Sequence, residues 1–182
     1  FFMGGGLEPR EYHPKAKAAA LKALELDDTV SDAHVALATT ALEYDWNWLD
    51  AARHFEKSIS LNPSNAKAHE RYATYLQSLG RFDDALEERK LALDLDPSSV
   101  FRVADVGYPL YLAGKSDEAI RAFRSALDLD SRFFWSHLWI GQVKVRQRQY
   151  TEAVVEIERA LDQSNRNTRV LATLGNAYGL AG

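Results

Sequence analysis

The sequence predicts an all-α protein, a stack of antiparallel helix hairpins wound into a superhelix, on three observations. Alanine recurs at Ala16, Ala51, Ala85, Ala119 and Ala153, at spacings of 35, 34, 34 and 34 residues, and a fixed period of this size is the signature of a repeat architecture. Two further registers keep the same period: Ala23, Ser58, Ala92, Ala126 and Ala160, and the unit-ending Asp28, Pro63, Pro97, Ser131 and Asn165. Within a period the apolar residues fall three and four apart, which is helical spacing. A single such hairpin cannot bury its apolar face, so neighbours must stack to make a continuous core.

The units follow in order. Residues 1–30 read as the end of an earlier unit; 31–65, 66–99, 100–133 and 134–167 are complete; and 168–182 supply one first helix. In 66–99 the first helix carries His69, Tyr72, Ala73 and Leu76, and the second carries Phe82, Ala85, Leu86, Ala92 and Leu93. Gly80 separates them as a helix stop, and Asp96-Pro97-Ser98 ends the second helix and caps the next. Small residues at Ala38, Ala73, Gly107, Gly141 and Gly175 mark where the two helices of a unit approach closely. Unit 31–65 is one residue longer because Tyr44-Asp45-Trp46-Asn47-Trp48 replaces the usual turn; Trp48 reads as a wedge in the hairpin, and Trp46 either faces a ligand or covers the turn. Pro109 falls inside a first helix, removes the donor that would reach Asp105, and should bend it. The last helix presents Leu171, Leu174 and Tyr178 without a partner, so the sequence reads as an excerpt of a longer chain.

These residues resemble the tetratricopeptide repeat, whose 34-residue unit places small and aromatic residues at these relative positions and a proline at its end. The resemblance covers nearly the whole chain and implies one right-handed solenoid over residues 1–182. Its best stretch is AKAHERYATYLQSLGRFDDALEERKLALDLDPSS, where Arg89 departs from the pattern by filling a place held elsewhere by Phe55 and Phe123; its stem should lie on the neighbouring helix. The start PKAKAAALKALELDD and the YDWNW insertion further resemble repeat regions of bacterial signalling proteins, particularly winged-helix transcriptional regulators and eukaryotic-like kinases.

Composition narrows the function. With 22 basic and 26 acidic residues the formal charge is -4, which gives no global attraction to nucleic acid. The absence of cysteine removes disulfides, thiol nucleophiles and cysteine-ligated zinc, and it leaves the compartment unassigned, cytoplasmic by default. No apolar run approaches a membrane span, and residues 1–7 lack the form of a signal peptide.

Catalytic motifs fail on their spacing. Gly114-Lys115-Ser116 copies the end of a phosphate-binding loop, but the glycine needed five residues earlier is Pro109; His69-Glu70 begins a zinc-protease motif whose second histidine would be Ala73. His34, His69 and His137 share one repeat place, about 10 Å apart on successive helices, too far for one metal ion. They read as packing residues. The pairs Asp83-Asp84 and Glu87-Glu88 fit solvated helix faces. No catalytic residue, metal site or cofactor is expected, and the chain reads as a non-enzyme.

The resemblance implies that the second, fifth, ninth, twelfth and thirteenth places of each unit face a concave groove. In the first two complete units these are polar and mildly acidic: Asp32, Val35, Thr39, Leu42, Glu43, then Lys67, Glu70, Thr74, Gln77, Ser78. The next two offer Phe101, Ala104, Tyr108, Tyr111, Leu112, then Trp135, Leu138, Gln142, Val145, Arg146. Aromatic anchors in a groove dominate peptide recognition, although rings at helical spacing also serve as core. Residues 1–130 carry 15 basic and 22 acidic side chains and 131–182 carry 7 and 4, so Arg146, Arg166 and Arg169 can steer an acidic segment toward the aromatic half. The expectation is a protein-binding scaffold whose peptide site comprises Phe101, Tyr108, Tyr111, Trp135, Leu138, Gln142, Arg146 and Arg169. The alternative is a structural module that self-associates through Leu171, Leu174 and Tyr178.

Overall fold

The computed structural model describes residues 8–182; residues 1–7, read above as lacking a signal peptide, lie outside them. Every regular element among the described residues is helical, and the helices fall into two compact units that divide after Leu95.

The first unit holds α1 (Pro9–Leu26), α2 (Ser31–Glu43), α3 (Trp48–Leu61), α4 (Ala66–Ser78) and α5 (Phe82–Leu95). Helices α2 and α3 form one hairpin, α4 and α5 the next, and α1 packs on α2. The two hairpins share a core of Ala38, Leu42, Ala51, Phe55, Ala73, Tyr75, Leu76 and Ala85. Sequestering a ring such as Phe55, which is fully buried, contributes about 1.5–3 kcal/mol. A polar staple ties three helices together: the Ser31 and Ser58 hydroxyls lie 2.8 Å apart, each hydroxyl donates to the other residue's carbonyl, and Asn65 donates to Ser31 Oγ at 2.9 Å. Asn65 also caps α4 by accepting from the Ala68 amide, satisfying one of the helix's otherwise orphaned donors.

The YDWNW turn shows how the longer unit closes. Asn47 caps α3 by accepting from the Asp50 amide at 3.1 Å, and Lys17 of α1 holds Asp45. Trp48 lies against Tyr75 with ring centroids 6.2 Å apart, in keeping with a wedge. Trp46 does not cover the turn: it stands 70% exposed on a left-handed backbone, φ 54°. Arg89 is buried, with its guanidinium donating to Thr74 Oγ1 and Gln77 Oε1 of α4 at 3.1 and 3.3 Å.

The second unit holds α6 (Val100–Asp105), α7 (Gly107–Leu112), α8 (Ser116–Leu129), α9 (Phe134–Arg146), α10 (Tyr150–Gln163) and α11 (Thr168–Ala181). Helices α6 and α7 are one first helix interrupted at Val106, three residues before Pro109, as the missing amide donor of that proline requires. Both pack on α8, α9 pairs with α10, and α10 supports α11. Leu138, Ile157, Ala160, Val170, Leu174 and Ala177 form the core of the last three helices. Close approach needs glycine at two places: a Cβ on Gly107 would lie 2.6 Å from the Phe123 ring, and one on Gly141 would lie 2.4 Å from Ile157 Cγ1. At Gly175, the next residue in that register, a Cβ would meet nothing.

No helix among the described residues is long and apolar enough to cross a membrane.

Candidate functional site

Helix α9 sets the site, because Trp135, Trp139, Gln142 and Arg146 are spaced four, three and four residues apart and so share one stripe of its surface. Tyr108 and Tyr111 of α7 approach this stripe from one side, and Arg169, Thr173 and Asn176 of α11 from the other. Between them lies an open pocket of about 430 Å³ lined by Tyr111, Gln142, Val145, Arg146, Arg169, Ala172, Thr173 and Asn176. All three contributing helices belong to the second unit, and each is a first helix of its repeat.

Trp139, half-buried, stands behind the pocket as the ring on which its neighbours converge. Its indole lies 4.7 Å from the Tyr108 ring and 5.6 Å from the Tyr111 ring, and stacks on Phe123 of α8 at 6.3 Å with planes 11° apart. The Arg169 guanidinium sits over both Trp135 and Trp139, at 5.7 and 5.6 Å, where the ring quadrupoles attract it. Arg146 lies over Tyr111 at 5.5 Å and donates to the Tyr111 carbonyl at 2.6 Å. These contacts fix the direction of two flexible cationic side chains. The lining contains no carboxylate, and its two charged members, Arg146 and Arg169, are both cationic. The pocket thus offers apolar ring surface, two positive groups, and the side-chain amides of Gln142 and Asn176, which can pair with a peptide backbone.

The eight residues expected at the peptide site separate in the structure. Tyr111, Gln142, Arg146 and Arg169 line the pocket. Tyr108 and Trp135, both half-buried, stand behind it through their contacts with Trp139 and Arg169. Phe101 is 54% exposed away from it, edge-on to Phe133 at 4.8 Å. Leu138 is a correction: it is fully buried in the core with Ile157 and Val170 and cannot meet a ligand. Val35 and Ala104 at the same fifth place of their units are buried too, whereas Glu70 is half-buried. Leu42 and Gln77, expected at the surface of the polar half, are also buried.

The expected self-association face is corrected at one residue. Leu174 packs inside the same core as Leu138, whereas Leu171 is half-buried and Tyr178 is 49% exposed, its hydroxyl donating to Glu158. That bond raises the Tyr178 phenol above its usual value, because ionisation would place a second negative charge beside the carboxylate. His34, His69 and His137 are buried and bonded within their hairpins, and no group of three or more metal-ligating side chains among the described residues is placed to hold an ion.

Two family profiles described as tetratricopeptide repeat match residues 54–87 and 110–168. The chain belongs to the tetratricopeptide repeat family. No curated protein matches it in sequence. Among solved structures it is similar to TTC0263, a thermophilic tetratricopeptide repeat protein of Thermus thermophilus, with a TM-score of 0.77 at 18% identity over 91% of this chain and 90% of that one. It is similar also to pilF of Pseudomonas aeruginosa, with a TM-score of 0.74 at 22% identity over 94% and 79%. A third is YrrB, titled a tetratricopeptide repeat protein with an unusual peptide-binding site, with a TM-score of 0.67 at 21% identity over 88% and 82%. Likeness at these identities establishes the fold. Tetratricopeptide repeat proteins bind protein or peptide partners.

Proposed function

We propose that this chain is a non-catalytic scaffold that holds a peptide segment of a partner protein in the pocket of α7, α9 and α11. The observation that carries this reading is the composition of the pocket: the Tyr111 ring with Arg146 held over it, Arg169 held against Trp139 behind it, and the side-chain amides of Gln142 and Asn176. Rings and guanidinium groups are the side chains that dominate binding energy at protein interfaces. The excess of 7 basic over 4 acidic residues in 131–182 favours an acidic segment and steers its approach. YrrB, a neighbour of this fold, has an unusual peptide-binding site. Affinity for one segment should be modest, on the order of micromolar. Self-association through α11 has weaker support, since Leu174 is core and the Tyr178 hydroxyl is engaged.

A displayed library of random peptides, selected on the chain and on an Arg169→Ala, Gln142→Ala double variant, tests the reading. The expected result is enrichment of acidic, aromatic-containing peptides whose affinity falls at least about tenfold, roughly 1.4 kcal/mol, in the double variant while its circular dichroism is unchanged. Peptides that bind both proteins equally, or no enrichment at all, would remove the site.

A further inference from the structure

Three repeats carry a buried histidine at the fourth place of the first helix, and each meets a side chain on the second helix of its own hairpin. His69 Nδ1 lies 2.6 Å from Glu88 Oε2, with its Nε2 2.9 Å from the Pro63 carbonyl, and His137 Nδ1 lies 2.7 Å from Glu156 Oε2. His34 differs: its Nδ1 faces Nδ1 of His54 at 2.9 Å. The first two contacts place a proton donor against a carboxylate. The third places two imidazoles nose to nose.

An N–H···N bond requires that one Nδ1 carry the proton and the other a lone pair, so the neutral pair is satisfied. A first added proton can settle on His54 Nε2, which points toward Asp50 Oδ2 at 4.0 Å. A second leaves two N–H groups aimed at each other across the same 2.9 Å, a repulsion that is relieved when the rings move apart. His34 is 8% exposed, so water screens this repulsion poorly.

We propose that the α2–α3 hairpin is an acid-loosened element, in which protonation of the His34–His54 pair breaks one of the bonds that close it and turns that contact repulsive, while the hairpins bridged by His69–Glu88 and His137–Glu156 stay shut. Burial sets the direction, and the charged groups around the pair modify it. Burial is the first cause holding both rings below the usual imidazole value; Asp28 and Asp50 oppose it, while Lys57, Arg53 and the mutual repulsion of the rings add to it. On α1, His13 and Lys17 are directed to Glu43 and Asp45, and Arg71 of α4 also goes to Glu43, about 13 Å along α2 from His34. Because the open hairpin takes up protons more readily than the closed one, the stability of the closed form is complete above about pH 6.5, the ordinary imidazole value, and falls as the pH drops below it.

Amide hydrogen exchange at about pH 7.5 and pH 5, spanning the imidazole range and corrected for intrinsic rates, tests this segment by segment. Protection of residues 31–61 should fall about tenfold per pH unit for each proton taken up, while residues 66–95 and 134–163 keep theirs. His54→Glu places a carboxylate before His34, as in the other two hairpins, and should abolish the acid loss. His54→Gln, which retains a hydrogen-bonding amide but does not titrate, should flatten it as well and decides the matter if the glutamate variant fails to fold. Equal protection at both pH values, equal loss in all three hairpins, or an acid loss that survives in His54→Gln would each overturn the proposal.

Discussion

In the unit that ends at Leu95 the first helices turn Ala38 and Ala73 toward their second helices; in the unit that follows, the same places are Gly107 and Gly141. The opposing residues are Phe55 and Arg89 in the first unit, Phe123 and Ile157 in the second, and all four are buried. The difference is one of how the space is filled. Where a Cβ would fall 2.6 Å from Phe123 or 2.4 Å from Ile157, the opposing side chain itself occupies the place that a methyl would need. Phe123 passes beyond Gly107 and stacks under Trp139, so the packing at Gly107 also supports the ring that lies against Arg169 behind the pocket.

The largest effect expected from breaking this arrangement is that of Phe123→Ala, about 3–5 kcal/mol of stability, read by chemical denaturation and accompanied by a changed near-ultraviolet signal as Trp139 loses its stacked neighbour. Gly141→Ala should cost about 1–3 kcal/mol through overpacking, even though alanine is the better helix former. Combining it with Ile157→Ala, which removes the opposing Cγ1, should cost less than the sum of the two single changes; strictly additive losses would mean that the two residues do not share the contact. A cost of similar size, about 1–3 kcal/mol, should follow Glu156→Ala, which leaves buried His137 without its partner. The hydrogen bond from His137 is the first cause holding the Glu156 carboxyl below its usual value, so the pair's contribution is present above the unfolded carboxylate range, near about pH 4.3, and is lost as the pH falls through the folded value. Acid titration of wild type and variant should therefore converge at low pH. The smallest effect sharpens the comparison from the other side: Gly175→Ala, in the same register as Gly141 but facing open space, should raise stability by up to about 1 kcal/mol through helix propensity alone.

Much of this was legible in the residues. The period, the close-approach register and the break before Pro109 all follow from side-chain size and backbone donors, which the sequence states directly. Four pocket residues, Tyr111, Gln142, Arg146 and Arg169, were legible as well. Trp139 was missed because fixed groove places skip the sixth residue of a unit, whereas successive residues on a helix are rotated by about 100°, enough to exchange an inward Leu138 for a half-buried Trp139 that supports Arg169. The run Trp135, Trp139, Gln142, Arg146, spaced four, three and four, carried the missing signal. Gly175 shows the opposite limit: a register reveals which residue type recurs, and the neighbour that makes the residue necessary is visible only in three dimensions.

The four tryptophans are divided evenly, Trp46 and Trp48 on one turn of the first unit, Trp135 and Trp139 beneath Arg169 in the second. An indole that is 70% exposed at Trp46 emits from water and is open to a dissolved quencher, while the second pair reports from a shielded, cation-covered shelf. The chain therefore carries its own pair of fluorescent reporters, one for the hairpin that acid should loosen and one for the pocket that a peptide should fill.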